Sequence, residues 1–418
     1  MFVMVERFTA SLRFLGVAAL AMPLAACSRG ADDASTTTFA SRVEFPGGAG
    51  SGQPRLTADV DGTPILSWLE PAGEGVALRY SRFTGGAFGT PQDVAAGHDW
   101  FVNWADTPSV QPITTEVWAA HWLKLAESSS GAYHVATAVS GDGGQTWSSP
   151  VQLNDDATRA EHGFVDLFAW NDGIGAFWLD GRQLAEWSFD EPDRLLGTSL
   201  RLARLDASGA VVVREIVDEL VCDCCQVNMA TAAAGPVVAY RDRTPEEIRD
   251  IVVRRHADGA WSEPVAVAAD GWHIEGCPVN GPAIAATGDS VAVAWFTAAG
   301  NNPRVRFARS SDGARSFAPA VDVDGAGPFG QVGLLLERDG RAIVTWWRRA
   351  TGGGLDLAAR AVAPDGSLGE LHVLTHSSEA QPIDVPQLIA AGADALVAWT
   401  TLDPGGAVHA LVVDRGKL

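Results

Sequence analysis

Four cysteines in two tight clusters are the residues whose spacing most directly suggests chemistry. "VCDCCQ" places Cys222, Cys224 and Cys225 within four positions, and "GCPVNG" adds Cys277. A bond between the adjacent Cys224 and Cys225 would be strained, because neighbouring Cα atoms lie about 3.8 Å apart while relaxed disulfides span roughly 4.4 to 6.8 Å. The simplest assignment therefore pairs Cys277 with one cysteine of the cluster and leaves two thiols close together. If 222–228 is extended, Cys222 and Cys224 point one way and Cys225 the other. Three chemistries follow: two structural disulfides, a soft-metal thiolate site for Cu or Zn, or a redox dithiol. His121, His162 or His273 could add an imidazole to a metal site. The redox reading lacks a thioredoxin-type Cys-x-x-Cys spacing to support it.

Other residues carry weaker chemical signals. Arg182 and Arg243 could anchor an anionic or sugar ligand. Trp100, Trp104, Trp187 and Trp272 could stack on a sugar ring, although tryptophan also serves packing. Asp106, Glu161 and Asp180 could supply the paired acids of a glycosidase if they faced one another across a cavity. His162 and His273 lie in the same distinctive stretches. The run "RDRTPEEIRDI" reads first as a solvated ion-pair network.

These residues are positioned by a repeat. Short apolar segments bounded by Gly or Asp turns recur as "PILSWLE", "EVWAAHWL", "GIGAFWLD", "GPVVAYRD", "SVAVAWFT", "RAIVTWWR" and "ALVAWTTL". Their Val, Ala and aromatic content is strand chemistry, and each is preceded by one strand and followed by two. Seven units of four antiparallel strands predict an all-β protein, a seven-bladed β-propeller, with six blades as the alternative. The last unit lacks its fourth strand, which residues 40–46 can supply from the N-terminal side.

In that topology the links between blades and the links between second and third strands share one face. Trp104 and Asp106 then enter blade 2, Glu161 and His162 blade 3, Cys222, Cys224 and Cys225 blade 4, and Trp272, His273 and Cys277 blade 5. Asp180, Arg182, Arg241 and Arg243 follow second strands on the same face. The opposite face receives short turns, so ligand chemistry belongs on the first.

Two stretches resemble the Asp box, Ser-x-Asp-x-Gly-x-Thr-Trp, of sialidase-like BNR-repeat propellers. "SGDGGQTW" supplies Ser140, Asp142, Gly144, Thr146 and Trp147; "SSDGARSF" supplies Ser310, Asp312, Ser316 and Phe317. The box is a structural staple and implies fold, not chemistry. Sialidase turnover in that family uses a late tyrosine nucleophile and three arginines. Here Tyr80, Tyr133 and Tyr240 are the only tyrosines, none in the last two fifths of the chain. The Arg-Ile-Pro motif is absent too, so no catalytic constellation is complete. More of the chain, including "DWFVNWADTPS", "EHGFVDL", "WLDGR", "VCDCCQ" and "GWHIEGCPVNGPA", resembles uncharacterised bacterial sialidase-like lipoproteins.

The formal charge of −21, from 51 acidic and 30 basic residues, argues against nucleic acid or an anionic membrane surface as partner. The N-terminus carries Arg7 and Arg13 and then an apolar run, Phe14 to Ala26, too short to cross a bilayer. "LAAC" resembles a lipobox, which implies lipidation of Cys27 and export to the outer membrane, facing the periplasm or the cell surface. The expected organisation is a signal peptide over 1–26, a tether over 27–39 and one propeller over 40–418. The expected function is a ligand-binding or interaction propeller, its partner a glycan, an anionic ligand or a periplasmic protein. The alternatives are periplasmic Cu or Zn binding through the cysteine cluster, and a glycoside hydrolase.

Overall fold

Each of the seven predicted segments is buried on both faces, which is why it reads as a nearly continuous apolar run and not as an alternating one. A computed structural model of the protein describes residues 39–127, 131–171, 173–186, 190, 195–380, 384–401 and 406–418. The expected signal peptide, Cys27, nearly all of the tether and Trp187 lie outside them. The apolar segments are the second strands of seven blades: Pro64–Ala72, Trp118–Leu125, Gly173–Asp180, Gly235–Arg241, Ser290–Thr297, Ala342–Arg349 and Asp394–Thr401. Fourth strands show the other pattern: Val211–Val221 of blade 3 alternates between exposed and partly or fully buried residues, as an edge strand with one solvated face must.

The protein is thus an all-β, seven-bladed propeller of antiparallel sheets, and the six-blade alternative is excluded. In blades 1 and 4 the outermost position is shared by two short strands, Ala87–Phe88 with Gln92–Gly97 and Ala260–Trp261 with Val265–Ala266. The N-terminal strand Ala40–Val43 pairs with Ala407–Asp414, Ala40 opposite Val413 and Val43 opposite Ala410, so blade 7 is completed by the start of the chain. Pairing both chain ends in one sheet covers what would otherwise be an open strand edge.

Seven apolar clusters hold the ring, one at each seam between neighbouring blades. Trp68, Trp118, Trp178, Tyr240, Trp295, Trp346 and Trp399, one from each second strand, are all buried in them. Several indoles donate to an acid at the rim: Trp178 Nε1 to Asp180 at 2.9 Å, Trp295 Nε1 to Asp270 at 2.7 Å and Trp346 Nε1 to Asp324 at 2.8 Å. A buried indole N–H thereby keeps a partner, and the seam gains an end point.

First strands line the axis, and three of them are bulged where they enter from the predicted functional face. Register breaks between Gly52 and Arg55, Gly163 and Asp166, and Gly330 and Gly333 coincide with left-handed backbone at Gln53, Phe164 and Gln331. Bulges of this kind re-aim side chains near a site.

Removing residues 1–43 should cost about 3 kcal/mol from lost ladder hydrogen bonds and expose Ala407–Asp414 as a pairing edge. The urea midpoint should fall and self-association should rise; an unchanged midpoint would show that closure by the N-terminal strand does not stabilise the ring.

Candidate functional site

The bulged first strands enclose an axial channel of about 480 Å³ to which all seven blades contribute. Arg55 of blade 1 reaches Asp166 of blade 3 across it at 2.8 Å, and Asp166 also accepts from the Met229 amide of blade 4 at 2.8 Å. Desolvation raises the Asp166 carboxyl, with Arg55 opposing. The Arg55–Asp166 pair across the axis is already matched, so among the described residues the channel offers a ligand mainly polar backbone and amide groups.

A second cavity of about 250 Å³ opens between blades 2, 3 and 4, lined among others by Tyr133, Glu161, Gly163, Leu184, Thr198 and Asp223. Beneath it lies Asp106, with neither carboxyl oxygen in good hydrogen-bond geometry to any described group. Desolvation pushes this carboxyl up to about 7; the Phe164 amide opposes, and the Glu161 carboxylate adds to the rise. Gly163 makes the arrangement possible, since a Cβ there would sit 2.0 Å from Asp106 Oδ2. The Tyr133 ring stacks on Phe101 at 4.2 Å, and its hydroxyl is raised by burial and by Asp106 and Glu161. Glu161 is raised by desolvation and then by Asp223. Among the described residues no cation pairs with Glu161.

The arginines around this recess are engaged. Arg182 grips Asp180 from Nε at 2.7 Å and Nη2 at 2.6 Å, and reaches Asp155 at 2.8 Å. Arg243 grips Glu247 at 2.6 to 3.1 Å and approaches Asp223 at 3.5 Å, while Arg249 shares both acids. The expected anchors for an anionic ligand are therefore neutralised by carboxylates. Asp180 is fully buried beside Trp178 and Arg182 and lines neither cavity, so it does not face Asp106 or Glu161 as a glycosidase partner.

His162 is also fully buried. Its Nδ1 lies 2.9 Å from the Tyr133 carbonyl, and Nε2 lies 3.2 Å from Asp156 and 3.7 Å from Asp180. These three side chains are close enough to share a cation, but the Arg182 guanidinium already contacts both carboxylates. Trp104 is 37% exposed on the functional face, whereas Trp272 is only 7% exposed and packs on Phe296 with the Arg241 guanidinium 4.7 Å above its ring. Trp272 is a core residue and offers no face to a sugar. His273 is exposed, in a bridge with Ile248. His121 is buried against Ser109, 2.9 Å away, on blade 2, and burial lowers it to about 3.

The cysteine cluster turns at Asp223 and Cys224 instead of extending, since the Cys222 amide donates to the Arg241 carbonyl. The turn sends Cys224 outward to a disulfide with Cys277, Cα atoms 6.0 Å apart. It also brings Cys222 and Cys225 inward, both buried, sulfurs 2.8 Å apart. This inward pair is itself a Cys-x-x-Cys, a spacing hidden by the intervening Cys224. Two zinc–thiolate bonds of about 2.3 Å at a tetrahedral angle would hold the sulfurs about 3.8 Å apart, and Cys224 is already bonded, so this arrangement does not fit Zn or Cu.

Arg241 ties these segments together, although its sequence context marks it as following a second strand on the functional face and as part of an ion-pair run, not as a buried hub. It is 1% exposed, and among the described residues no carboxylate pairs with it. Its Nε and Nη2 donate to the Asn280 carbonyl at 3.0 and 2.8 Å, Nη1 to Arg249 O at 2.7 Å and Nη2 to Phe296 O at 2.8 Å. Gly281 lets the "PVNGP" loop lie against Gln226, where a Cβ would meet the Gln226 carbonyl at 2.1 Å.

Both Asp-box turns lie on the opposite face. Asp142 accepts from Ser140 Oγ, Thr146 Oγ1 and the Thr146 amide at 2.6 to 2.9 Å, and the Gly144 amide donates to Ser140 Oγ; Asp312 bonds Ser310 and Ser316 in the same way. Trp147 and Phe317 pack at the seams of blades 1 and 2 and of blades 4 and 5.

No family model matches the chain, and no curated protein matches it. Solved structures share its fold. A polysaccharide lyase of family PL25, an ulvan lyase bound to a GlcA(1-4)Rha3S saccharide, is 11% identical over 90% of this chain and 96% of its own, with a TM-score of 0.55. The polysaccharide lyase Uly1 is 8% identical over 87% and 90%, TM-score 0.54. The NanB sialidase of Streptococcus pneumoniae is 10% identical over 90% and 71%, TM-score 0.45.

The raised Asp106 carboxyl has a measurable consequence. Its folded value of about 7 exceeds the ordinary 3.8, so the folded state holds an extra proton between them. The linked stability is full below about pH 4 and is lost as pH rises through about 7. Asp106→Asn should therefore stabilise the protein at pH 8 relative to its effect at pH 4, by up to about 4 kcal/mol. Urea unfolding at the two pH values checks this; an identical effect at both would contradict it.

Proposed function

We propose that the protein is a saccharide-binding propeller, exported and tethered through Cys27, that uses the recess between blades 2, 3 and 4 without sialidase-type turnover. One observation carries the reading: the recess presents the Glu161 carboxylate, which no cation pairs with among the described residues, while the arginines beside it are occupied by Asp155, Asp180, Asp223 and Glu247. A carboxylate without a cation partner accepts strongly from hydroxyl groups and repels anions. A neutral sugar suits this lining; a sialic acid does not. Leu184, exposed and lining the recess, adds apolar surface to it. The polysaccharide-acting neighbours make saccharide the ligand class to test first. Tyr133 is buried against Phe101, and among the described residues the arginines around the recess are paired with acids instead of standing free for a substrate carboxylate, which argues against a nucleophile role.

A glycan array carrying neutral, sialylated and uronate-bearing oligosaccharides should show binding confined to neutral glycans. Glu161→Ala should weaken that binding roughly 10- to 100-fold, the worth of a charged hydrogen bond. Binding confined to sialylated glycans, or release of sialic acid from a fluorogenic sialoside, would overturn the reading.

A further inference from the structure

Cys222 and Cys225 are buried, while Cys277 is exposed and Cys224 half-buried, so the four cysteines form an inner pair and an outer pair. The Sγ atoms of Cys222, Cys224 and Cys225 all lie within 4.8 Å of one another, and those of Cys222 and Cys225 are 2.8 Å apart. Three sulfurs at such distances, one already in a disulfide, are the starting arrangement for thiol–disulfide exchange.

The surroundings favour a thiolate at one position. Arg249 Nη1 lies 3.5 Å from Cys222 Sγ, and Arg241 is a buried cation with only carbonyl partners. A thiolate at Cys222 would supply the negative charge that this guanidinium lacks. The Cys222 thiol is accordingly lowered, by the hydrogen bond from Cys225 first and by Arg241 and Arg249 after it, against desolvation. Cys225 is raised by its burial and by Cys222, so one sulfur of the pair is the nucleophile and the other holds the proton.

We propose that the four cysteines are a disulfide relay, in which a single disulfide moves within the chain between the exposed Cys224–Cys277 pair and the buried Cys222–Cys225 pair. In the first step the Cys222 thiolate attacks Cys224 Sγ, the Cys222–Cys224 bond forms, the Cys224–Cys277 bond breaks, and Cys277 leaves as a thiolate. Cys225 then gives up its proton and attacks Cys222 Sγ, forming Cys222–Cys225 and releasing the Cys224 thiolate. One disulfide is broken and one made, the Cys225 proton goes to the outer pair, and no electrons leave the chain. The outer pair is left reduced and open to oxidation by an external disulfide, which would leave as a dithiol. The 267–282 connection loses its bond to the 222–227 turn, which carries Asp223 of the recess.

The test uses the full chain brought to one disulfide with limiting dithiothreitol, quenched in acid, alkylated and mapped by mass spectrometry. The expected result is both linkages, Cys224–Cys277 and Cys222–Cys225, in a ratio that re-forms after the exposed pair is selectively reduced. In Cys225→Ser the second step is blocked, so the Cys222–Cys224 bond should accumulate and Cys277 should become alkylated. The proposal is overturned if the one-disulfide protein carries only Cys224–Cys277, or if that linkage persists in Cys225→Ser with Cys277 unlabelled. Two disulfides that both resist millimolar dithiothreitol under native conditions would overturn it as well.

Discussion

The functional face depends on one buried cation. Arg241 ends the second strand of blade 4 and has lost its water, and a guanidinium in that position is costly unless its nitrogens find hydrogen-bond acceptors. It meets the requirement through carbonyls, taking Asn280 from the blade 4 to 5 connection, Arg249 from its own blade's loop and Phe296 from blade 5. The Asn280 and Arg249 carbonyls belong to loops, and the Phe296 carbonyl to the end of the second strand of blade 5. Arg241 also fixes the cysteine turn through its own carbonyl and covers Trp272 with its charge. Three segments far apart in sequence are thus one object, and the planar fork of arginine is what lets a single side chain serve three acceptors.

This node separates structural roles from ligand-facing ones. Residues with strong functional signatures, Trp272, Arg243, Asp180 and Arg182, are absorbed in packing and charge neutralisation. What stays open to a ligand is the lining of the recess, where Glu161 and Asp223 lie above the buried Asp106. The charge of −21 points in the same direction as this local arrangement, since neither the whole surface nor the recess attracts an anion.

The propeller was readable from sequence because doubly buried second strands leave unbroken apolar runs and because the runs repeat. The Asp-box turns were readable for a different reason: the bonds of their Ser and Asp side chains all lie within five residues. Assignment of loops to one face followed from topology alone. The destinations of individual side chains did not. Arg241 reaches carbonyls 39 and 55 positions away, and nothing in "VVAYRDR" marks the first arginine as fully buried among carbonyls and the second as a partly buried ion-pair member. Glu161 was visible as a motif residue, whereas Tyr133, Gly163 and Asp223 were missed as its neighbours; the only signal was a glycine directly after "EH". The cysteine pairing turned on whether 222–225 bends, which is decided by a backbone bond to another strand.

Equilibrium urea unfolding of Arg241→Lys tests the central claim most directly, because lysine keeps the charge but cannot form the fork. If one guanidinium organises the face, the variant should lose about 3 kcal/mol or more, and amides of 222–227 and 277–283 should lose hydrogen-exchange protection together. A variant as stable as the parent, with both loops still protected, would contradict the claim.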